Sequence, residues 1–434
     1  MSNKLLIKNG HVLTMNKRLE TFERADMLIE DGEIVTIAPD LKSEDAEIID
    51  AEDMIVMPGL IDTHRHVWHS IVKGLAADMS FAQFMTHIPG KIGNKFRSKD
   101  LYLANLLGAL EALHAGVTTV VDWSNIIHSE KHAEQAIKGL LDAGIRGVFT
   151  YGLPYEITFQ HKQIKQLVKT YFSSSEQLLS LAIGTLSPEY VPLSIPRRDI
   201  HLGRQLGLTT SMHIGSGGSK GGIKQLVQAQ LLGEDLNFVH CNTLEKEEFK
   251  QIANSGASVS ITPEVEMQMG LGMPATQQIL EYHGKISIGI DVASATSGDL
   301  FTQMRMLLQV HRALQNEKRL IEGETPNTID LTAEDAVKIA TIYGARAIGM
   351  DKKIGSLEQG KKADLIFIRK KDLNIYPVHT PYVSVLQAHA DNVDSVFVEG
   401  KAVKRHGKLL YADLKQIRSM AQSSFDHIFN HTKK

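Results

Sequence analysis

Pro58-Gly-Leu-Ile-Asp-Thr-His-Arg-His-Val-Trp-His-Ser70 is the stretch whose reading decides the fold. The apolar run 54–57 leads into a Pro-Gly break, and 60–66 then reads as a short buried strand. Successive side chains on a strand alternate faces, so His64 and His66 share one face and Arg65 takes the other. Two imidazoles held side by side on a rigid element are half of a transition-metal site. In a chain with 19 histidines such a pair is equally a polar strand end. The pair gains weight because two more histidines and an aspartate each close a later apolar run.

Strand-like runs at 60–66, 117–122, 146–151, 181–185, 209–213, 237–240, 257–262 and 287–291 alternate with amphipathic stretches of helical spacing. Eight such strands predict a (β/α)8 TIM barrel, with an open doubly wound sheet as the alternative. No G-x-G-x-x-G opens a first helix, which speaks against the second. In a barrel, catalytic groups gather where strands end at the C-terminal face. There the sequence places His64, His66, Asp122, Glu189, His213, His240, Glu264 and Asp291.

Both ends of the chain read as β structure. Runs at 4–15, 25–37 and 46–50 carry the turn dipeptides Asn9-Gly10 and Asp31-Gly32, and similar runs return at 363–369 and 393–403. The expectation is one small β-sandwich built from both termini (1–57 with 353–413) around a barrel at 58–352. Two separate β flaps are the alternative. Spaced apolar residues over 414–431 predict a surface helix in a C-terminal segment, 414–434.

Composition bounds the function. With 43% apolar and 22% charged residues the chain is globular, and a net charge of −3 predicts neither nucleic-acid nor membrane partners. One cysteine, Cys241, excludes an internal disulfide framework; with no signal-like or spanning run, a cytoplasmic location is expected. Self-association into a homo-oligomer stays open. Gly217-Gly-Ser-Lys-Gly221 matches G-x-S-x-G, but its extra glycines predict a loop rather than a nucleophile elbow. His132-Ala-Glu134 echoes zinc deaminases that use two cysteines, which one cysteine cannot supply. Neither H-E-x-x-H nor a P-loop is present.

Together with the opening stretch, Glu111-Ala-Leu-His-Ala-Gly-Val-Thr-Thr-Val-Val-Asp122, His240-Cys-Asn-Thr-Leu244 and Ile354-Gly-Ser-Leu-Glu-Gln-Gly-Lys-Lys-Ala-Asp364 resemble the amidohydrolase superfamily. The resemblance spans essentially the whole chain and is nearest to the cytosine-deaminase and triazine-hydrolase-like branch. It implies one divalent metal bound by His64, His66, His213 and Asp291, with His240 contacting the hydrolytic water or substrate. A second metal would need a lysine in the fourth strand, and 181–185 has none. Three imidazoles and a carboxylate suit zinc or ferrous iron.

Related deaminases read His-x-x-Glu at the fifth strand, whereas this chain reads His213-Ile-Gly-Ser216. A substitute acid is therefore expected: Glu264 foremost, Glu189 next, with Glu266 close by. Trp68, His69, Met267, Met269 and Met273 are expected to wall a pocket for a flat heterocycle. The resulting expectation is a metal-dependent hydrolase of C–N bonds, deaminating a small nitrogen heterocycle with Asp291, His240 and Glu264 as catalytic groups. Trp68, His69, Glu189 and Glu266 are the expected substrate contacts. The alternatives are C–Cl or other C–X hydrolysis and a catalytically idle scaffold.

Overall fold

A computed structural model of the chain describes residues 4–410 and 412–430. Eight strands follow one another in a sheet whose spatial order is their sequence order: Leu60–Arg65, Val117–Ser124, Arg146–Gly152, Leu179–Thr185, Thr210–Ile214, Leu236–His240, Ser258–Ile261 and Lys285–Ile288. The pairings registered between neighbours from the third strand to the eighth are parallel. Every residue of the first three strands is buried, as expected where helices cover a parallel sheet. The last strand meets the first: Arg65 bridges Asp291 in parallel, Asp291 N–H donates to His64 O (2.9 Å), and His66 N–H donates to Asp291 O (2.8 Å). The barrel thereby closes, and its seam carries two histidines and an aspartate.

Strands from both termini join in one mixed sheet of nine. From Lys408–Leu409 its order runs through Lys401–Arg405, Val393–Val398, Leu365–Arg369, Met54–Pro58, Lys4–Leu13 and Thr21–Glu30 to Glu33–Ala38; Glu47–Asp50 pairs Lys4–Leu13 off this path. N-terminal and C-terminal strands meet where Met54–Pro58 runs antiparallel to Leu365–Arg369. Ile34 N–H donating to Lys361 O (2.8 Å) and a Glu33–Lys362 bridge bring the sheet back on itself. Leu5, Ile7, Met27, Ile34, Phe367 and Phe397 fill one core inside it.

Asp31-Gly32 makes the expected tight turn, with φ of 49° and 83°. Asn9-Gly10 does not. It lies inside the strand Lys4–Leu13 as a bulge, with Asn9 at φ 64° and the register to Thr21–Glu30 shifted on both sides of Gly10. A Cβ at Gly10 would stand 2.8 Å from Val56, so glycine here serves close packing rather than chain reversal.

The chain divides into two compact units. One holds the residues up to Asp62, Ala112–Thr119 and the stretch from Asp299; the other holds Thr63–Glu111, Val120–Gly298 and the C-terminal helix. The stretch after Asp299 owes its place to local ties. Arg305 on the helix Leu300–Ile321 donates to Leu386 O (2.8 Å) and Ala388 O (2.7 Å). In the same unit Lys404 is fully buried and its ammonium donates to His114 O (2.7 Å) at the end of the helix Ser98–His114. The C-terminal helix, Leu414–Asn430, buries Ile428, and Ser424 Oγ donates to Asp100 (2.7 Å). The expected continuation of this helix beyond 430 lies outside the described residues. No described helix is long and apolar enough to cross a membrane.

Candidate active site

The four expected metal ligands converge. His64 and His66 share a strand face, as a period of two requires; His213 sits on the fifth strand and Asp291 follows the eighth. His64 Nε2 lies 3.2 Å from His213 Nε2, and Asp291 Oδ1 lies 3.4 Å from His64 Nε2 and 3.5 Å from His66 Nε2. A tetrahedral ion with bonds of ~2.0–2.1 Å spaces its ligand atoms by roughly 3.3–3.4 Å. The donors therefore sit at coordinating distances from one another. Two sets of three among the described residues can hold an ion: His64, His66 and His213, and His64, His240 and Asp291.

Protonation favours the same use. His66 Nδ1–H donates to Trp123 O (2.7 Å), which leaves Nε2 as the lone-pair nitrogen facing the cluster. Burial, and then the neighbouring His64, push the His66 imidazole down to about 4. Burial and the surrounding imidazoles likewise hold His213 well below the ordinary histidine value. For Asp291 burial works upward, but the hydrogen bond with His64 and the nearby imidazoles prevail and hold it well below the carboxylate range. Neutral imidazoles around an ionised carboxylate are the form that binds a divalent cation. Asp291 has φ 64° and His240 φ 77°, left-handed values that non-glycine residues adopt only where the surroundings enforce them.

Above the cluster is a cavity of about 400 Å³. His66, His69, His213, His240 and Asp291 form its polar floor, and Phe81, Phe84, Leu153, Met269 and Leu271 supply apolar walls. His240 Nε2 is 3.8 Å from Asp291 Oδ2, and its Nδ1 is 3.3 Å from Glu266 Oε1. Burial presses the His240 imidazole down, but the Glu266 hydrogen bond and the Asp291 and Glu266 charges outweigh it, so its pKa is raised.

Six of the residues expected at the pocket lie elsewhere. Glu264, expected as the proton donor, does not line the cavity; its carboxylate accepts from Ser297 Oγ (3.3 Å). Residues 263–268 form a short helix with Pro263 at its first turn, and a helix turns residues 264 and 266 to opposite sides. Glu266 is consequently the inward carboxylate, yet it stands behind His240, also accepting from Thr262 N–H (2.8 Å), rather than against substrate. Glu189 is occupied by the loop after the fifth strand, accepting from Gly215 N–H (2.9 Å) and Ser219 Oγ (2.8 Å). Trp68 is wholly buried, and its Nε1–H donates to Asn125 Oδ1 (2.8 Å). His69, Met269 and Ser216 do line the cavity, whereas Met267 and the exposed Met273 do not.

Trp123 was missed. Its indole lines the cavity and its ring centroid is 4.6 Å from that of His213. A Cβ at Gly184 would lie 2.8–3.1 Å from three atoms of that ring, so the glycine of the fourth strand is the seat of the indole. The signal available in the sequence was the tryptophan directly after Asp122, one residue past the run already read as a strand.

Comparison with known proteins fits this geometry. The amidohydrolase family model matches residues 55–181 and 199–403. The chain belongs to the amidohydrolase family. It is accordingly a hydrolase, and amidohydrolase chemistry is the cleavage of C–N bonds. Its relatives include a 5-methylthioadenosine/S-adenosylhomocysteine deaminase of Pyrococcus furiosus, 25% identical over 95% of this chain and 98% of the relative. A 5'-deoxyadenosine deaminase of Methanobrevibacter smithii is 26% identical over 98% of each chain. Among solved amidohydrolase-like folds, an adenosine deaminase from Xanthomonas campestris with bound zinc superposes with a TM-score of 0.87 at 21% identity, covering 99% of both chains. An atrazine chlorohydrolase from Arthrobacter aurescens complexed with zinc gives 0.85 at 20% identity, over 97% of this chain and all of the other.

Proposed function

We propose that this amidohydrolase is a hydrolytic deaminase of a small adenosine-type heterocycle, working with one divalent metal, zinc by preference. The observation that carries the reading is the convergence of His64, His66, His213 and Asp291 on the floor of a cavity that also exposes His240. When bound there, the metal supplies Lewis acidity that lowers the pKa of water to about 7. The chain's own groups do the rest. Asp291, kept ionised, accepts a proton at Oδ2 and returns it on the side where the leaving nitrogen departs. His240, held by Glu266, orients the developing oxygen through Nε2. The apolar walls exclude bulk water and lay the ring flat against Trp123.

One observation favours a second reading. Ser216 lines the cavity, and Asp291 is the only carboxylate that does so among the described residues. An amine leaves poorly unless protonated, whereas halide needs no proton, so C–X hydrolysis is the competing activity. Metal-replete protein should release ammonia from 5'-methylthioadenosine or 5'-deoxyadenosine. Chloride from a 6-chloropurine nucleoside without ammonia from the amines would select the second reading, and neither product would refute both. The division into a composite β domain (1–57 with 353–413), a hydrolase domain (58–352) and a C-terminal segment (414–434) belongs to this proposal. Its support is the pairing of Met54–Pro58 with Leu365–Arg369.

A further inference from the structure

Resting on that adenosine-type reading, we infer that the cavity selects uncharged heterocycles with an apolar substituent and rejects those that end in a charged group. Among the described residues, no lysine, arginine or glutamate lines it, and its one charged side chain, Asp291, belongs to the metal-ligand group. The polar groups farther along the wall are neutral by construction. Asn125 Oδ1 accepts from Trp68 Nε1–H, so the amide presents its NH2 side to a ligand. His128 Nε2 donates to Gly93 O (3.3 Å), and partial desolvation of the ring lowers its pKa from the ordinary histidine value. Glu189, the nearest carboxylate to the loop that carries Ser216, is committed to Gly215 and Ser219.

Of the exposed side chains that line the cavity, Met85, Pro154 and Tyr190 are apolar or aromatic, and the polar ones, Asn125 and His128, are an amide and an imidazole. Met85 is 47% exposed and Tyr190 55% exposed. An alkyl or alkylthio group leaving the ring would cover Met85, Phe81 and Phe84, exchanging water for apolar contact. A zwitterionic tail on the same path would lose hydration with no charged partner on the wall.

5'-Methylthioadenosine and S-adenosylhomocysteine form a matched pair, because they share the nucleoside and the sulfur and differ only in what the sulfur carries. With metal-replete protein, kcat/KM for the first should exceed that for the second by on the order of 100-fold or more. Equal values would overturn the inference while leaving the deaminase reading intact. Should neither compound be turned over, calorimetric Kd values on the same protein read the same preference: a retained preference upholds the inference though the deaminase reading fails. Equal Kd values, or no binding of either compound, overturn it. Met85→Arg places a cation at the mouth and should narrow the gap at least about tenfold at unchanged metal content. A Met85→Arg protein that binds its metal and discriminates as the parent does would show that charge is not the discriminator.

Discussion

Glu266→Gln isolates what the buried carboxylate behind His240 contributes. Oε1 of Glu266 takes three contacts, from Thr262 N–H (2.8 Å), Thr262 Oγ1 (3.3 Å) and His240 Nδ1 (3.3 Å). Glutamine keeps an acceptor of the same shape for all three but removes the charge. A hydrogen bond to a charged group is worth about 1.5–3 kcal/mol against about 1 for a neutral one, so the substitution forfeits about 0.5–2 kcal/mol at the imidazole. Expressed in the transition state, this is roughly a 2- to 30-fold loss of kcat/KM, overlapping the lower part of the range of about 10–100-fold for groups that support a site. The sign of the pH effect follows from the same contact. His240 is held up by Glu266 and Asp291, so losing one anion lowers its pKa and moves any limb that needs protonated His240 to lower pH. The assay is a pH profile of kcat/KM with metal content measured in parallel, and Glu264→Gln serves as control. Glu264 faces Ser297 rather than the cavity, so its substitution should leave rate and profile within about twofold. A Glu266→Gln protein with the parent profile, or a Glu264→Gln protein as impaired as Glu266→Gln, would refute the reasoning.

Further outcomes are specific. His64→Ala should lose stoichiometric metal, whereas Asp291→Asn should keep much of it and lose most turnover; elemental analysis with activity checks both. Gly184→Ala drives a methyl into the Trp123 ring and should cost about 1–3 kcal/mol in denaturant unfolding, with weakened metal retention because Trp123 O fixes His66. Burial pushes Lys404 down to about 8 from 10.5. The unfolded chain therefore binds the extra proton between those values, and stability should rise with pH from about 8 to 10.5, by at most on the order of 3 kcal/mol. Lys404→Met should flatten that rise.

The barrel was legible because eight apolar runs alternate with helical stretches and their polar ends fall into register. The convergence of His64, His66, His213 and Asp291 was legible from those ends together with the family resemblance. What escaped was geometry within a turn or two of each strand end. In the sequence Glu264 comes foremost because it is nearest the seventh strand's end, and only the helix starting at Pro263 turns Glu266 inward instead. Glu189 looked like a pocket acid because its backbone is near the fourth strand's end, but nothing in its neighbours announces that Gly215, Ser219 and Gly222 will claim its oxygens. Asn9-Gly10 carried turn chemistry, and the packing of Val56 made it a bulge. Trp68 and Trp123 exchanged roles for a similar reason: one is buried against Asn125, the other reaches the cavity because Gly184 leaves it room.

The seam between the first and eighth strands gives folding and function a common last step. Asp291 reaches the histidines only when its backbone is zipped to His64 and His66, so a chain lacking that final pairing keeps the carboxylate apart from the three imidazoles. An ion that took Asp291 as well as the histidines would bind the closed ring more tightly than the open one and stabilise closure by mass action. Loops that lengthen the path from strand one to strand eight would slow closure through the entropy of joining distant segments, without touching the chemistry. Tightening of metal binding during refolding would then report ring closure, at the junction where the barrel's first and last strands meet.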